Sequence, residues 1–203
     1  MAAVNRKDLA LQSAEKIFAD FGYDRATMRM IADDADLKLA LLTYHFTTKL
    51  NLYRAVFEEH QHLNELRRER LREVDLAAPQ ALEEIVDAFL VIGDAAEEGV
   101  RKERYLKLVL REAADPRAYE RGIIADLFDP MAAEFIEALG AVLPGKPKSF
   151  VRWDYLFSVG ALIMSNSDDR ARALGGGESD AVHRLEHLRE FIVAGLRAGT
   201  AGS

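Results

Sequence analysis

The chain has 203 residues, of which 49% are apolar and 30% are charged, and its formal net charge is −7. This balance is ordinary for a globular protein and argues against the disordered and fibrous classes. The sequence contains no cysteine, which excludes disulfides, thiolate catalysis and zinc sites with cysteine ligands.

The sequence predicts neither a secretion signal nor a membrane anchor. Its first residues lack the apolar run of a signal peptide, and charged residues interrupt every long hydrophobic segment. We therefore expect a cytoplasmic protein that does not bind a membrane.

The excess of acidic side chains lies outside the N-terminal quarter of the chain. Residues 1–55 hold eight basic and seven acidic side chains, so the whole negative charge comes from the remaining residues. A nearly neutral segment can still collect its cations on one face and bind nucleic acid.

The N-terminal segment carries the signals of four helices. Apolar residues recur at intervals of three and four, which predicts α-helices. The first helix is expected to end at Gly22, a residue type that suits a helix C-cap, and Thr27 offers an N-cap hydroxyl for a short second helix. A tight break at Asp36 precedes a third helix through the segment LALLTYHF, and Lys49 opens a long fourth helix.

The rest of the chain continues the helical period. Asp-Pro pairs at 115–116 and 129–130 place proline at the first position of new helices, and LPGKPKS at 143–149 is a firm break. Two last long helices are expected at about 150–167 and 179–198. With no convincing strand pattern, the chain is predicted to be all-α, with about nine or ten helices that form a three-helix head and a larger body.

The second and third predicted helices are each only about two turns long. Helices of this length are marginal in water, so they need the apolar stripe of the first helix, which includes Ile17, Phe18 and Phe21. Two short helices braced in this way form a helix-turn-helix, whose second member can enter the major groove of DNA. Tyr, His, Thr and Lys side chains on that helix can donate to phosphate oxygens, and Thr or Lys can also reach base edges.

A wider set of residues over about positions 8–56 extends this pattern: Phe18, Phe21-Gly22-Tyr23, Ala26-Thr27, Ile31-Ala32, Ala35, Leu37, Leu42, Tyr44-His45-Phe46, Lys49 and Leu52. Together they resemble the tetracycline-repressor (TetR) family of transcriptional regulators. The resemblance implies a homodimer with a DNA-binding head on each subunit. It also implies a C-terminal body that pairs the subunits and usually holds a small effector.

Three positions depart from the family pattern. Asp36 stands where the family commonly has glycine, and we expect it to tolerate left-handed backbone. Lys38 stands where serine or threonine usually caps the third helix, and Thr43 stands where that helix usually carries its first tyrosine. Because the last two positions contact DNA in relatives, we expect an operator that differs from those of well-known members.

We predict a helix-turn-helix head in residues 1–48 and an effector-binding and dimerisation domain in residues 49–203, connected by the helix over 49–73. The predicted DNA contacts are Thr27, Arg29, Lys38, Leu39, Thr43, Tyr44, His45 and Lys49. Thr27 and Lys49 each begin a helix, whose N-terminus attracts phosphate. The alternative is a three-helix core in which these side chains only cap and pack.

A two-fold dimer on a palindromic operator is expected, because one head reads too few base pairs to bind tightly by itself. The helices at about 150–167 and 179–198 carry suitable apolar faces, and the resemblance implies that they form a four-helix bundle with the second subunit. The alternative is that the same faces pack on the body of their own subunit.

An effector cavity is expected among the central helices. Its predicted lining residues are Phe89, Tyr105, Leu108, Arg111, Phe128, Met131, Phe135, Trp153 and Phe157, with Ile92 and Asn166 as further candidates. Such residues also form ordinary cores, and Arg111 can pair with acidic neighbours or bind an anionic ligand. The sequence does not identify the effector.

Metal binding and catalysis are the competing interpretations. No catalytic triad, phosphate-binding loop or paired-carboxylate motif stands out, so we expect neither an enzyme nor a cofactor. His183 and His187, with Glu186 and Glu190 close by, have a spacing that can hold Zn²⁺. Since no third ligand is evident, a salt-bridged helix surface is the simpler interpretation.

A helical scaffold without DNA binding is the remaining alternative. The acidic cluster of Asp33, Asp34 and Asp36 favours it, because carboxylates near the groove repel phosphate. The whole pattern nevertheless predicts a sequence-specific DNA-binding regulator, and specifically a repressor that a small-molecule effector releases from its operator. Activation of transcription remains open.

Overall fold

The structure, a computed structural model, describes residues 5–91, 99–165, 170, 173–175 and 178–198, with backbone only at 99–103 and 178–182. All regular secondary structure in these ranges is helical, so the predicted all-α class is confirmed. None of the helices described is both long enough and apolar enough to cross a bilayer. The candidate residues Ile92 and Asn166 lie outside the described residues.

The helices of the described residues follow in chain order. They are α1 (Arg6–Arg25), α2 (Met28–Asp34), α3 (Leu39–Phe46), α4 (Lys49–Glu59), α5 (Gln61–Arg72), α6 (Ala81–Phe89), α7 (Gly99–Ala114), α8 (Ala118–Arg121), α9 (Ile123–Leu127), α10 (Asp129–Val142), α11 (Lys148–Ser165) and α12 (Glu178–Arg197). The two predicted C-terminal helices thus occur as α11 and α12, close to the expected positions.

The chain divides into two compact units, Met1–His62 with Asp94–Phe128 and Leu63–Gly93 with Asp129–Ser203. In the first unit α1 packs against α2, α4 and α7, and one apolar core joins all four helices. The structure therefore groups α7 to α9 with the helix-turn-helix. The division at residue 48 was drawn by expected function, and it stays a prediction.

The core of the first unit is built on the predicted stripe of α1. Ile17 and Phe18 are buried there together with residues of the three following helices: Ile31, Ala32, Leu42, Phe46, Leu52, Tyr53, Val56 and Phe57. Phe21 is the exception, because the chain turns at Gly22 directly after it and leaves its ring largely exposed.

The predicted continuous helix over 49–73 is interrupted at His60. This residue has φ −98° and ψ 6°, and it separates α4 from α5. Its buried ring lies 2.8 Å from the Glu15 carboxylate, measured from Nε2, and stacks on Tyr105 at 3.9 Å between ring centroids. The apolar period runs on past His60, so only these tertiary contacts reveal the break.

The second unit packs α6, α10, α11 and α12 around a separate core. Three aromatic rings meet at its centre: the Phe89 ring lies 5.7 Å from Phe135 and 5.8 Å from Tyr155, both nearly edge to face. This geometry is the favourable one for aromatic pairs. The predicted residues Phe89, Met131 and Phe135 are therefore part of a packed core.

Candidate DNA-binding interface

A Schellman motif ends α2 and forms the turn of the helix-turn-helix. The Leu37 N–H donates to the Ala32 carbonyl at 2.9 Å, and the Asp36 N–H donates to the Asp33 carbonyl at 3.3 Å. Asp36 has φ +52°, the left-handed conformation that this motif requires and that aspartate adopts more readily than most residues. The prediction that Asp36 tolerates the turn is confirmed.

The Thr27 hydroxyl caps α2 as predicted. It accepts a hydrogen bond from the Met30 N–H at 3.1 Å, so one of the unpaired donors at the start of the helix is satisfied. Thr27 and Arg29 are both exposed. The start of α2 is therefore defined by its cap and is accessible from outside.

α3 buries one side and exposes the other. Leu42 and Phe46 are buried, whereas most of the predicted DNA contacts on or beside this helix are exposed: Lys38, Leu39, Thr43, Tyr44 and His45. Tyr44 is 81% exposed and packs its ring edge against His45, with 5.3 Å between the centroids. Seven of the eight predicted DNA-contacting residues are thus accessible, and their contact with DNA stays a prediction.

Lys49 is the exception, because it is half-buried and its ammonium is bound within the subunit, and its contact with DNA stays a prediction. Its ammonium donates to the carbonyls of Tyr23 at 2.9 Å and Ala26 at 3.1 Å, and it lies 4.3 Å from the centroid of the Tyr23 ring. Carbonyls at the end of a helix lack intrahelical partners, and a positive charge is favourable there. The ammonium therefore ties α4 to the end of α1.

Arg111 also binds the end of α1, and its place in an effector cavity stays a prediction. Its Nη2 donates to the Asp20 carbonyl at 3.3 Å. At Gly22 the backbone has φ +75°, and a Cβ there would lie 3.3 Å from Arg111 Nη1. The kink at Gly22 inside α1 thus favours glycine for its conformation, and a Cβ there would require a small shift of the Arg111 side chain.

A strained turn that the sequence does not reveal joins α3 to α4. Thr47 has φ +62° and ψ −53°, and the Thr48 N–H donates to the Phe46 carbonyl at 2.6 Å, which is a γ-turn. Positive φ is rare for a β-branched residue, so residue type gave no warning. Thr48 then caps α4 by accepting from the Asn51 N–H at 3.1 Å.

The acidic cluster beside the turn is partly neutralised. The Asp34 carboxylate accepts hydrogen bonds from Lys16 and from Ser13 Oγ, the latter at 2.6 Å. The bond from Lys16 and then that from Ser13 lower the pKa of Asp34. Asp33 and Asp36 remain exposed, so the cluster is a weaker argument for a scaffold than its sequence indicates.

A buried polar network holds α7 and α8 in the first unit. Tyr53 donates to Glu112 at 2.9 Å, Arg121 Nη2 lies 2.8 Å from the same carboxylate, and Arg121 also binds Asp115 at 2.6 Å. Burial and the Glu112 charge raise the pKa of Tyr53. Burial lowers the pKa of Arg121, but the hydrogen bonds that its guanidinium donates to Glu112 and Asp115 outweigh burial and raise that pKa.

The nine residues predicted to line an effector cavity are divided between the two units. Four belong to the first unit, namely Tyr105, Leu108, Arg111 and Phe128, and five to the second, namely Phe89, Met131, Phe135, Trp153 and Phe157. Trp153 and Phe157 are 58% and 66% exposed, so they do not line an enclosed cavity of this chain. The reason is that α11 turns its other side, with Val151 and Tyr155, toward the core.

A narrow space does exist inside the second unit. Its lining includes two of the predicted residues and seven others: Ile85, Val86, Phe89, Phe135, Leu139, Tyr155, Ser158, Ile192 and Leu196. It has room for about one water molecule. Burial raises the pKa of Tyr155 to about 12, and the Tyr155 hydroxyl makes no hydrogen bond to the residues that the structure describes.

An apolar stripe runs along the outside of α11. Large apolar side chains are exposed at intervals of three, four and seven, namely Phe150, Trp153, Phe157 and Met164. On α12 the exposed apolar side chains include Leu185 and Phe191, while the side chain of Val182 lies outside the described residues. Large apolar side chains that are exposed side by side in this way are typical of an interaction site.

The predicted zinc alternative gains no support. In the described part of the chain no three potential metal ligands cluster. His187 instead lies 3.8 Å from the Glu190 carboxylate, and both side chains are exposed. The pair belongs to a polar helix surface.

Two protein families match this chain, one in its N-terminal part and one in its C-terminal part. A family described as "Bacterial regulatory proteins, tetR family" matches residues 10–56, and one described as "Tetracyclin repressor-like, C-terminal domain" matches residues 85–195. The HTH-type transcriptional activator FasR of Mycolicibacterium smegmatis is 42% identical over 55 residues. That match covers 27% of this chain, which spans only a quarter of the length of FasR.

Solved structures share the fold over the whole chain. A TetR-family transcriptional regulator from Bordetella parapertussis has a TM-score of 0.68 and 20% identity, with 97% of this chain and 96% of that chain covered. The fatty acid degradation regulator FadR from Bacillus halodurans has a TM-score of 0.64 and 16% identity, with 97% and 99% covered. The family match across more than half of the sequence, on this fold, means that the chain belongs to the TetR family of DNA-binding transcriptional regulators.

Proposed function

We propose that the protein is a homodimeric repressor that reads a palindromic operator with α3 and leaves it when a small effector binds. The observation that carries this proposal is the exposed side of α3, where Tyr44 and Thr43 stand clear of a helix that is buried on its other side. Lys38 supplies a cation at the start of the same helix and makes no capping bond of its own. Repression is the simpler outcome, because occupying an operator requires no contact with the transcription machinery.

Dimerisation is proposed to use the exposed apolar side chains of α11 and α12. Trp153 and Phe157 stack at 5.9 Å between ring centroids and form the centre of the stripe on α11. Gly160 and Gly195 on these helices are exposed, and no neighbouring atom lies within 4 Å of the position that a Cβ would occupy. A second helix could therefore approach closely there. A second copy of the chain supplies an equivalent apolar face, as a two-fold interface requires.

The effector is proposed to enter the second unit beside Tyr155. The lining of the narrow space there is apolar except for Tyr155 and Ser158, and Ser158 already donates to the Asp154 carbonyl at 2.8 Å. Because the space holds about one water, a larger ligand must part α6, α10, α11 and α12. Two of these helices carry the proposed dimer face, so a ligand that binds the parted state better would alter the dimer and its affinity for DNA.

Selection of bound sequences from random duplex DNA tests the central proposal. We expect a two-fold symmetric consensus whose affinity falls steeply as salt is raised. Tyr44→Ala should weaken binding to all sequences, since its phenol is proposed to contact phosphate. Tyr119→Ala is the matched control, because Tyr119 is 80% exposed on α8 in the same unit and plays no part in the proposed contact. Failure to enrich any sequence at low salt would contradict the proposal.

A further inference from the structure

The outward face of α3 is rich in methyl groups. At about 100° per residue, Leu39, Thr43, Ala40 and Tyr44 follow one another around the helix, with Leu39 bordering the two buried residues and Tyr44 opposite them. All four are exposed, and Leu39 keeps 43% of its surface accessible although it is a large apolar side chain. An exposed leucine on the helix that faces DNA is a candidate for direct contact with the bases.

The hydroxyl of Thr43 already donates its proton in a hydrogen bond within α3. Thr43 Oγ1 donates to the Leu39 carbonyl at 3.1 Å, one turn earlier in the same helix. The methyl group of this exposed residue makes no hydrogen bond and remains available for an apolar contact. The segment from Leu39 to Phe46 also contains no Arg, Lys, Asn or Gln, the side chains that read guanine and adenine through paired hydrogen bonds, although Lys38 directly precedes it.

In the major groove, thymine presents an apolar group, the methyl on C5, and alanine and the threonine methyl are known to pack against it. Guanine and cytosine present only hydrogen-bonding groups on their exposed edges. An aliphatic side chain pressed on those groups would remove their water without replacing the lost hydrogen bonds, which is costly. The exposed face of α3 therefore favours thymine, whose methyl group it can pack against, over guanine and cytosine.

We infer that α3 recognises its half-site through thymine C5 methyl groups, which pack against Leu39, Ala40 and Thr43. Hydrogen bonds from this face to guanine or adenine edges play a minor part. Lys38 and Tyr44 flank the face and hold the helix on the backbone. This inference deepens the proposed function and rests on it, since it assigns the base-reading chemistry of the same interface.

Replacing thymine by deoxyuracil tests the inference directly, because the substitution removes only the C5 methyl. The selected operator is synthesised with one thymine replaced at a time, and dissociation constants are measured by fluorescence anisotropy. We expect about a fourfold loss at each of two or more positions per half-site, from the usual value of one buried methyl. Thymines outside the half-sites serve as controls and should show no loss.

Variants of the protein assign each methyl to a side chain. In Leu39→Ala, at least one of the sensitive positions should become indifferent to the exchange of thymine for uracil. Thr43→Ser, which removes the methyl, should lose more discrimination than Thr43→Val, which removes the hydroxyl. The opposite order at residue 43 would show reading by hydrogen bonds and would overturn the inference.

The experiment separates this inference from the proposed function. Specific binding to a two-fold consensus whose half-sites tolerate uracil at every thymine would overturn the methyl-reading inference alone. Absence of specific binding to any duplex would overturn both. Loss of affinity confined to the uracil-containing half-sites supports both.

Discussion

The ammonium of Lys49 stabilises the head by binding the carbonyls that end α1. Hydrogen bonds from a charged donor contribute about 1.5–3 kcal/mol, and water can replace part of them at this half-buried site, so Lys49→Ala should lower the free energy of unfolding by about 2 kcal/mol. Urea denaturation measures this change. Lys38→Ala is the matched control, because Lys38 is exposed and should change stability by less than about 0.5 kcal/mol.

The order of the two variants should be reversed for DNA affinity: Lys38→Ala should reduce it more than Lys49→Ala. Lys38→Ala should weaken binding to all duplexes because it removes a proposed phosphate contact. If Lys49→Ala were as stable as the wild type and still lost DNA binding, the assignment of Lys49 to the fold would be wrong.

Asp36 carries backbone strain that glycine would remove. Its φ of +52° lies in the region that costs most L-residues about 1–2 kcal/mol, and aspartate somewhat less. We expect Asp36→Gly to raise the free energy of unfolding by about 1 kcal/mol and Asp36→Val to lower it by at least as much. Thermal denaturation of the three proteins in one buffer would contradict this expectation if glycine were the least stable.

Asp34 should make the stability of the head depend on pH. The hydrogen bonds from Lys16 and Ser13 hold its pKa below the ordinary value of 3.8, so the folded state favours the ionised form. The resulting stabilisation is present above about pH 4, and it is lost as the pH falls through the lowered pKa.

Asp34→Asn should therefore be less stable than the wild type at pH 7, with a difference that shrinks as the pH falls below about 4. Chemical denaturation at a series of pH values measures it. Asp33→Asn is the control, since Asp33 is exposed and forms no ion pair within the described residues. A difference in stability that stayed constant down to the lowest pH would contradict the prediction that the ionised Asp34 carboxylate stabilises the folded state.

At the scale of the helices, the parts that could be predicted were those set by local chemistry. Thr27 and Asp36 each indicate a cap or a turn through their residue type, and the structure places both as expected, whereas α1 bends at Gly22 and continues to Arg25 instead of ending there. The break at His60 and the turn at Thr47 could not be predicted, because tertiary contacts impose the first and a strained backbone the second.

The network around Glu112 joins α4, α7 and α8 by charge as well as by apolar contact. Glu112 is 1% exposed and carries hydrogen bonds from both Tyr53 and Arg121. Removing one partner of a buried ion pair leaves the other charge uncompensated, so Glu112→Ala should cost about 3–5 kcal/mol. Urea denaturation should show this loss, with Glu120→Ala on the surface of α8 as the control.

Replacing both members of the pair distinguishes charge from packing. A Glu112→Met and Arg121→Met double variant removes both charges and keeps most of the volume, so it should recover a large part of the loss. Because the double variant also removes the bond from Arg121 to Asp115, a double variant that is less stable than Glu112→Ala would show that the network of ion pairs, rather than the uncompensated charge, provides the stability.

At the scale of the whole molecule, the exposed side of α3 could be predicted from the sequence, whereas the residues that line the narrow cavity of the second unit could not. The helix-turn-helix depends on a short segment with its own turn signals. The cavity depends on which side of α11 faces inward, and this helix has apolar residues nearly all round. Trp153 and Tyr155 are equally plausible as core residues from their type, yet only Tyr155 is buried.

A helix that is apolar on all sides is normally covered on all sides, so the exposed stripe of α11 calls for a partner. We expect the protein to sediment as a dimer and Phe157→Glu to weaken that dimer by about a hundredfold, since a carboxylate buried at an interface costs several kcal/mol. Because Phe157 is exposed within the subunit, the variant should keep its helical circular dichroism. It should also lose affinity for a two-fold operator, because two heads would no longer be held together.

Tyr119→Glu places the same charge on an exposed aromatic position of the first unit, and it should leave both the dimer and operator binding intact. Analytical ultracentrifugation over a range of protein concentrations measures the dissociation constant of each variant. A Phe157→Glu protein that remained dimeric would show that the subunits pair through another surface. It would also break the proposed link between the effector space and DNA, since that link runs through α11 and α12.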